Sequence, residues 1–259
     1  MGDAGDAPGH PAAGPVAGAG STDLVVGPAR PSRGVRTVTL QIAGQTLMLL
    51  PEKAVFLPES DTLLVADAHI GKAVSFRQLG VPVPAGTTDE TLAVLSGLVH
   101  RLDAKRIVFL GDFLHSARAH APATLAAVAA WRDAHRALEL VLVRGNHDDR
   151  AGDPPAALGI RAVDEPFLQD GFALCHHPRP VAGRYVLAGH LHPCVSVGVR
   201  GWDHLRLPCF WFGDAVGVLP AFGAFTGMHP VHGAAEDRLF AVADNMVAAM
   251  PVASERFAA

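Results

Sequence analysis

The chain has 259 residues, 49% of them hydrophobic and 18% charged, with a formal net charge of −4 when His is counted as neutral. That length buries a sizeable core as one domain, and no basic excess marks a nucleic-acid binder by global charge. No apolar run is long enough to span a bilayer, and three cysteines without a CxxC pair do not make a disulfide framework.

Residues 1–34 are Gly, Ala, Pro and Asp with almost no large apolar side chains, which reads as a disordered tail. The ordered domain is expected over 35–246, and 247–259 are expected to fray. The start lacks the basic and apolar segments of a secretory signal. Cys175, Cys194 and Cys209 read as small core hydrophobes, so a reducing, cytoplasmic setting without a membrane is expected.

From Val35, VRTVTLQIAGQTLMLL alternates around Ala43-Gly44-Gln45, the pattern of a β-hairpin. Thr62–Ala66 (TLLVA) is a buried-strand run ending at Asp67. Thr87 with Glu90 makes a capping-box pattern, and Leu92, Leu95, Leu98, Val99 and Leu102 follow at helical spacing. Arg106–Leu110 (RIVFL) is the next strand, ending in Gly111-Asp112. The Ala-rich stretch Pro122–Leu138 is expected to be helical. Glu139–Val143 (ELVLV) is a strand that runs into Arg144-Gly145-Asn146-His147-Asp148. Short strands follow at Phe167–Cys175, Arg184–Ala188, Val195–Val199, Leu205–Phe212 and Val216–Leu219. An α/β first half and a β-rich second half predict two packed sheets flanked by helices.

Fourteen His is a high number for this length, and their positions matter. Polar clusters stand at Asp67-Ala68-His69, Gly111-Asp112, Gly145-Asn146-His147-Asp148, Cys175-His176-His177 and Gly189-His190-Leu191-His192, most of them directly after an apolar strand. Open α/β sheets place ligand sites at such strand ends. In an extended segment, Asp67 and His69 point the same way, as do His190 and His192. Carboxylate, amide and imidazole together suit Mn, Fe, Co or Zn better than a Mg-only site. Taken singly, an Asp at a strand tip is as well explained as a turn former, and tandem His as a surface feature.

The order D-x-H, GD, GNHD, H, GHxH resembles the calcineurin-like metallophosphoesterase superfamily. The resemblance implies a metallophosphoesterase fold, an α/β architecture of two packed mixed sheets flanked by helices. It also implies that one metal is held by Asp67, His69 and His192 and a second by Asn146, His176 and His190, with Asp112 bridging them. His147 would act as general acid or transition-state stabiliser, oriented by Asp148. The usual position of the family's ligand directly after its strand favours His176 over His177. Two such cations can share a hydroxide and neutralise a phosphate diester for in-line attack.

The text between the motifs, VADAHIGKAVSFRQLGVPVPAGTT, VFLGDFLHS, LVLVRGNHD, LCHHPRPVAGRYVLAGHLHP, LRLPCFWFG and VGVLPAFGAFTG, is similar to the bacterial DNA-ligase-associated metallophosphoesterases. That resemblance implies a Mn²⁺-dependent DNA endonuclease in DNA repair, associated in function with a ligase and a repair helicase. The acidic balance favours single-stranded, flapped or nicked DNA over intact duplex. The alternative is a small-molecule phosphodiesterase or phosphomonoesterase on the same two-metal site. Only Asp149 to Leu174 separate the GNHD and His176 clusters, leaving little room for a lid. Lys72, Arg77, His115, Arg118 and His177 follow the ligand segments closely enough to meet a substrate phosphate, or to be solvated loop residues. His100, His120 and His135 are expected to serve packing or surface, and His229 and His232 receive no role.

Overall fold

Ala43 and Gly44, at φ 50° and 76°, give the left-handed two-residue turn that a tight hairpin needs. They join β1 (Val38–Ile42) to β2 (Gln45–Leu50) in the expected antiparallel pair. The computed structural model describes residues 35–78, 80–81, 86–198 and 204–251. The tail expected at 1–34 lies outside the described residues.

Two further strands, β3 (Ala54–Leu57) and β4 (Thr62–Ala66), extend the hairpin antiparallel. The chain then alternates: helices α1 (Lys72–Gln78) and α2 (Thr87–Leu102), strand β5 (Arg106–Leu110), helix α3 (Pro122–Ala134), strand β6 (Glu139–Val143), helix α4 (Asn146–Ala151) and strand β7 (Ile160–Val163). Strands β4 to β7 are mutually parallel, and the seven lie in sequence order across one mixed sheet. The capping box expected at Thr87 is absent: α2 is capped by Gly86 at φ 90° with no side-chain bond, and Thr87 is already helical. Helix α3 stops at Ala134, short of the expected Leu138.

The second sheet has nine strands: β8 (Phe167–Gln169), β9 (Phe172–Leu174), β10 (Tyr185–Ala188), β11 (Pro193–Gly198), β12 (His204–Phe212), β13 (Val216–Val218), β14 (His229–Pro230), β15 (Arg238–Ala243) and β16 (Met246–Met250). The single strand expected over Phe167–Cys175 is a hairpin, because Asp170 and Gly171 at φ 50° and 85° turn the chain. The fraying expected from 247 is corrected as well. Val247–Met250 pair with β15, and Val247 is buried. Residues 252–259 lie outside the described set.

Side-chain alternation divides the core into two layers. Leu63, Val65, Ile107, Phe109, Leu140 and Leu142 face Leu92, Leu95 and Leu98 of α2 and Val128 and Trp131 of α3. Their neighbours Leu64, Ala66, Val108, Leu110, Val141 and Val143 face Phe172, Leu187, Phe210 and Phe240 of the second sheet. Strands β4, β5 and β6 are therefore apolar on both faces, and only their ends are available for polar chemistry. Cys175, Cys194 and Cys209 are free and buried, as expected. Among the described residues no helix is long and apolar enough to cross a membrane.

Candidate metal centre

The parallel strands β4, β5 and β6 deliver Asp67, Asp112 and Asn146 just past their C-terminal ends, and the second sheet brings His176 after β9 and His190 and His192 after β10. The backbone ties these segments together. The His69 N–H donates to the Asp112 carbonyl at 2.9 Å, and the Gly189 N–H to the His176 carbonyl at 3.1 Å.

Convergence is achieved by turns, which corrects the expectation of strand alternation. Asp67, His69, Asp112, His190 and His192 sit at φ 51°, 45°, 51°, 72° and 49°. Non-glycine residues seldom adopt that left-handed region, and such strain gathers at functional sites. Gly111 is required for the same reason, since its φ is 80° and a Cβ there would lie 2.1 Å from Nδ1 of His176.

Asp67 is fully buried. Its Oδ2 accepts the His190 N–H at 2.9 Å, while Oδ1 has no hydrogen-bond partner and faces Nε2 of His192 at 3.5 Å. Asp112 Oδ1 accepts the His147 N–H at 2.9 Å and lies 3.5 Å from Nε2 of His176. Its Oδ2 is 3.9 Å from Nε2 of both His69 and His147. His69 and His192 bring their Nε2 atoms to 3.4 Å. His176 Nε2 is 3.0 Å from both Asn146 Oδ1 and His190 Nδ1.

Two donor groups result, one of Asp67, His69 and His192, the other of Asn146, His176 and His190, with the two oxygens of Asp112 between them. An orphaned buried carboxylate oxygen and converging ring nitrogens offer lone pairs that a shared cation would satisfy together. The residues fit a binuclear metal centre.

The tandem histidines differ in burial and orientation, although a ring nitrogen of each lies within 4.8 Å of one on His190. His176 is fully buried and faces the centre. The side chain of His177 is 39% exposed, and its Nδ1 lies 2.9 Å from Oε1 of Glu165. The two imidazole rings are nearly perpendicular.

Asp148 does not orient His147, contrary to the expectation. Its buried carboxylate accepts backbone N–H groups from Gly145 at 3.0 Å and Leu114 at 3.2 Å. The partner of His147 Nδ1 is the carbonyl of His115 at 2.6 Å, a main-chain acceptor that residue types do not reveal. The His115 ring lies against the centre, with its Nδ1 3.4 Å from Nδ1 of His69 and its face stacked on His147 and Phe76. Lys72 is half-buried beside Asp67 and Asp112, whereas Arg77 and Arg118 are exposed.

Glu165 was not read from the sequence. Its Oε2 accepts the N–H groups of both His176 and His177, at 2.8 and 2.9 Å, and Oε1 accepts from Arg179 at 2.7 Å. Burial opposes ionisation of this carboxyl, but the His177 and His176 bonds outweigh it and hold the group below its ordinary range. A carboxylate eleven and twelve residues before its partners carries no local motif.

Burial, reinforced by Lys72, pushes the His69 imidazole down to about 2. Burial and Lys72 also lower His115, to about 4, and burial with His176 lowers His190. These rings are held neutral, the form that ligates metal. Burial raises the Asp148 carboxyl to about 6 against the lowering effect of its two backbone donors.

No family model matches the chain, and no curated protein matches it. Among solved structures, the nuclease MPE of Pseudomonas putida is 46% identical, over 83% of this chain and 100% of that one, with a TM-score of 0.74. The phosphoesterase Yfce of E. coli is 14% identical over 74% of this chain and 99% of its own, with a TM-score of 0.38, too distant to bear on the fold.

Proposed function

This chain belongs to the metallophosphoesterase family of the Pseudomonas putida nuclease, and we propose that it is a manganese-dependent nuclease that cuts DNA internally. The observation that carries the reading is the paired donor set around Asp112, in a chain 46% identical to a nuclease. Asp67, His69 and His192 would hold one cation, Asn146, His176 and His190 the other, and Asp112 both. Such a pair supplies charge neutralisation at the phosphate and an activated water. Mn²⁺ suits the mixture of carboxylate, amide and imidazole donors, and Fe, Co and Zn share that preference.

The protein's own groups supply position and a proton. With Nδ1–H donated to the His115 carbonyl, His147 presents Nε2 on the Asp112 side of the cleft. From there its imidazolium form gives a proton to the leaving oxygen. Lys72, beside Asp67 and Asp112, and His115, beside His69, are assigned to the substrate phosphate, and Arg77, Arg118 and His177 to the flanking DNA strand. Between α4 and His176 the chain forms a short turn and strands β7 to β9, with no inserted lid, so a strand can cross without threading an end. A negative net charge fits single-stranded, flapped or nicked DNA better than intact duplex. DNA repair, in functional association with a ligase and a helicase in the cytoplasm, is the proposed setting.

The test is a covalently closed single-stranded DNA circle, which offers no end. Wild-type protein with Mn²⁺ is expected to linearise it. An intact circle alongside hydrolysis of a model phosphodiester would instead make the protein a small-molecule phosphodiesterase on the same centre.

A further inference from the structure

Phe225 stands out from the loop after β13 with 58% of its surface exposed, at φ 57°. A bulky residue at positive φ is a backbone outlier that its surroundings must hold in place. Here the ring is not one of the buried core side chains, so core packing does not explain the strain.

The loop is fastened at both ends to the metal centre. At its base, the Phe222 N–H donates to the Ala66 carbonyl at 2.8 Å and the Gly223 N–H to the Asp67 carbonyl at 3.1 Å. Lys53 Nζ donates to the Phe222 carbonyl at 2.8 Å. Gly223 has no room for a side chain, because a Cβ would lie 2.5 Å from the Ala68 carbonyl oxygen. At the far end, His192 Nδ1 is 3.0 Å from the Gly227 carbonyl, and the His229 N–H donates to the His192 carbonyl at 2.9 Å. The loop therefore runs from Asp67 to His192, two residues of one donor group, and holds Phe225 at a set place beside them.

The ring borders two concavities. One, of about 290 Å³, is lined also by His192, Pro193, Pro208, Ala221 and Met228. The other is lined by His69, Lys72, Phe76 and Thr87. The larger stands at the lower end of ligand-pocket size, room for a single nucleoside rather than a base pair. A phosphate at the metal centre carries its own nucleosides a sugar's length to either side. An exposed, pre-positioned aromatic that lines a concavity shared with His192 offers a π-face, which every nucleobase can stack on.

We propose that Phe225 is the stacking platform for the base adjoining the scissile phosphate. This inference rests on the nuclease reading above. Phe225 touches the substrate base directly, and its loss acts through substrate binding while the metals stay in place.

The experiment compares wild type, Phe225→Ala and Phe225→Trp on oligo(dT) and on an abasic strand of equal length. Phe225→Ala is expected to lose about 5- to 150-fold in kcat/KM on oligo(dT), the equivalent of about 1–3 kcal/mol for one base–aromatic stack, chiefly in KM. The same substitution should change little on the abasic strand, and Phe225→Trp should keep activity on both. Metal content should be unchanged, as should quenching of a 2-aminopurine strand in Phe225→Trp but not in Phe225→Ala. Equal losses on both strands, or no loss on oligo(dT), overturn the inference. A wild type that cuts neither strand overturns the nuclease reading and takes this inference with it.

Discussion

Nδ1 of His147 lies 2.6 Å from the carbonyl oxygen of His115, so the proton on that nitrogen is committed to the main chain and Nε2 is the atom left for chemistry. Asp148, one residue further on, plays no part in this: its carboxylate closes the turn through Gly145 and Leu114. The proton donor proposed at His147 and the turn closed by Asp148 are thus separate parts of the GNHD motif.

Replacing His147 by Ala is expected to leave both metals bound while slowing turnover by about 10²–10⁴, the usual range for a lost general acid. Asp148→Ala is expected to lower thermal stability through two abandoned buried N–H groups, by about 1–3 kcal/mol each. Metal analysis and melting curves of the two proteins separate the roles. A metal-depleted His147→Ala protein would show that His147 is a ligand.

Metal-free protein is expected to lose stability as pH falls below 6.5. His69 is held neutral down to about 2 in the fold, whereas an unfolded imidazole protonates near 6.5. The unfolded state therefore binds more protons below that pH, and stability falls by up to about 1.4 kcal/mol per pH unit for a fully buried ring. His115 and His190 act in the same direction. Asp148, raised to about 6, acts oppositely as pH falls from 6 towards 4, so the steepest loss should lie just below 6.5. Melting temperatures of the chelated protein at pH 7.5, 6.5 and 5.5 measure this. A flat profile would refute it.

Glu165→Ala should weaken metal binding by about 10- to 100-fold, the cost of losing an outer partner of a ligand, because Oε2 holds the N–H of His176. Glu165→Gln retains an acceptor oxygen and should fall between the two. Titration of metal into the apo variants, with circular dichroism to confirm folding, reads the effect. Unchanged affinity in Glu165→Ala would mean that neighbouring contacts alone fix His176.

Asp112→Ala should empty both metal positions together, since its two oxygens face the two donor groups. Gly111→Ala should have nearly the same effect without touching a donor atom, because its Cβ would collide with the His176 ring. Retention of one metal equivalent in Asp112→Ala would show that the sites are independent.

Strand ends β4, β5 and β6 were legible in the sequence because TLLVA, RIVFL and ELVLV are apolar on both faces and end abruptly in polar residues. The Asp, Asn and His clusters that follow fixed the chemistry for the same reason: only strand ends can carry polar groups in such a sheet. Short strands such as β3 and β7 were not legible, since four-residue runs lack a period long enough to assign. Nor was the split of Phe167–Cys175, which depends on two positive-φ residues.

What the tertiary structure alone decided is how the clusters meet. The left-handed turns at Asp67, Asp112 and His192, the bond from His147 to a carbonyl, the support of His176 by Glu165 and the loop that presents Phe225 all join segments distant in sequence. A residue type records which atoms it can offer, and local pattern records periodicity. Neither records which backbone group the fold will bring within hydrogen-bonding distance, and that proximity gave Asp148, His177 and Glu165 their partners.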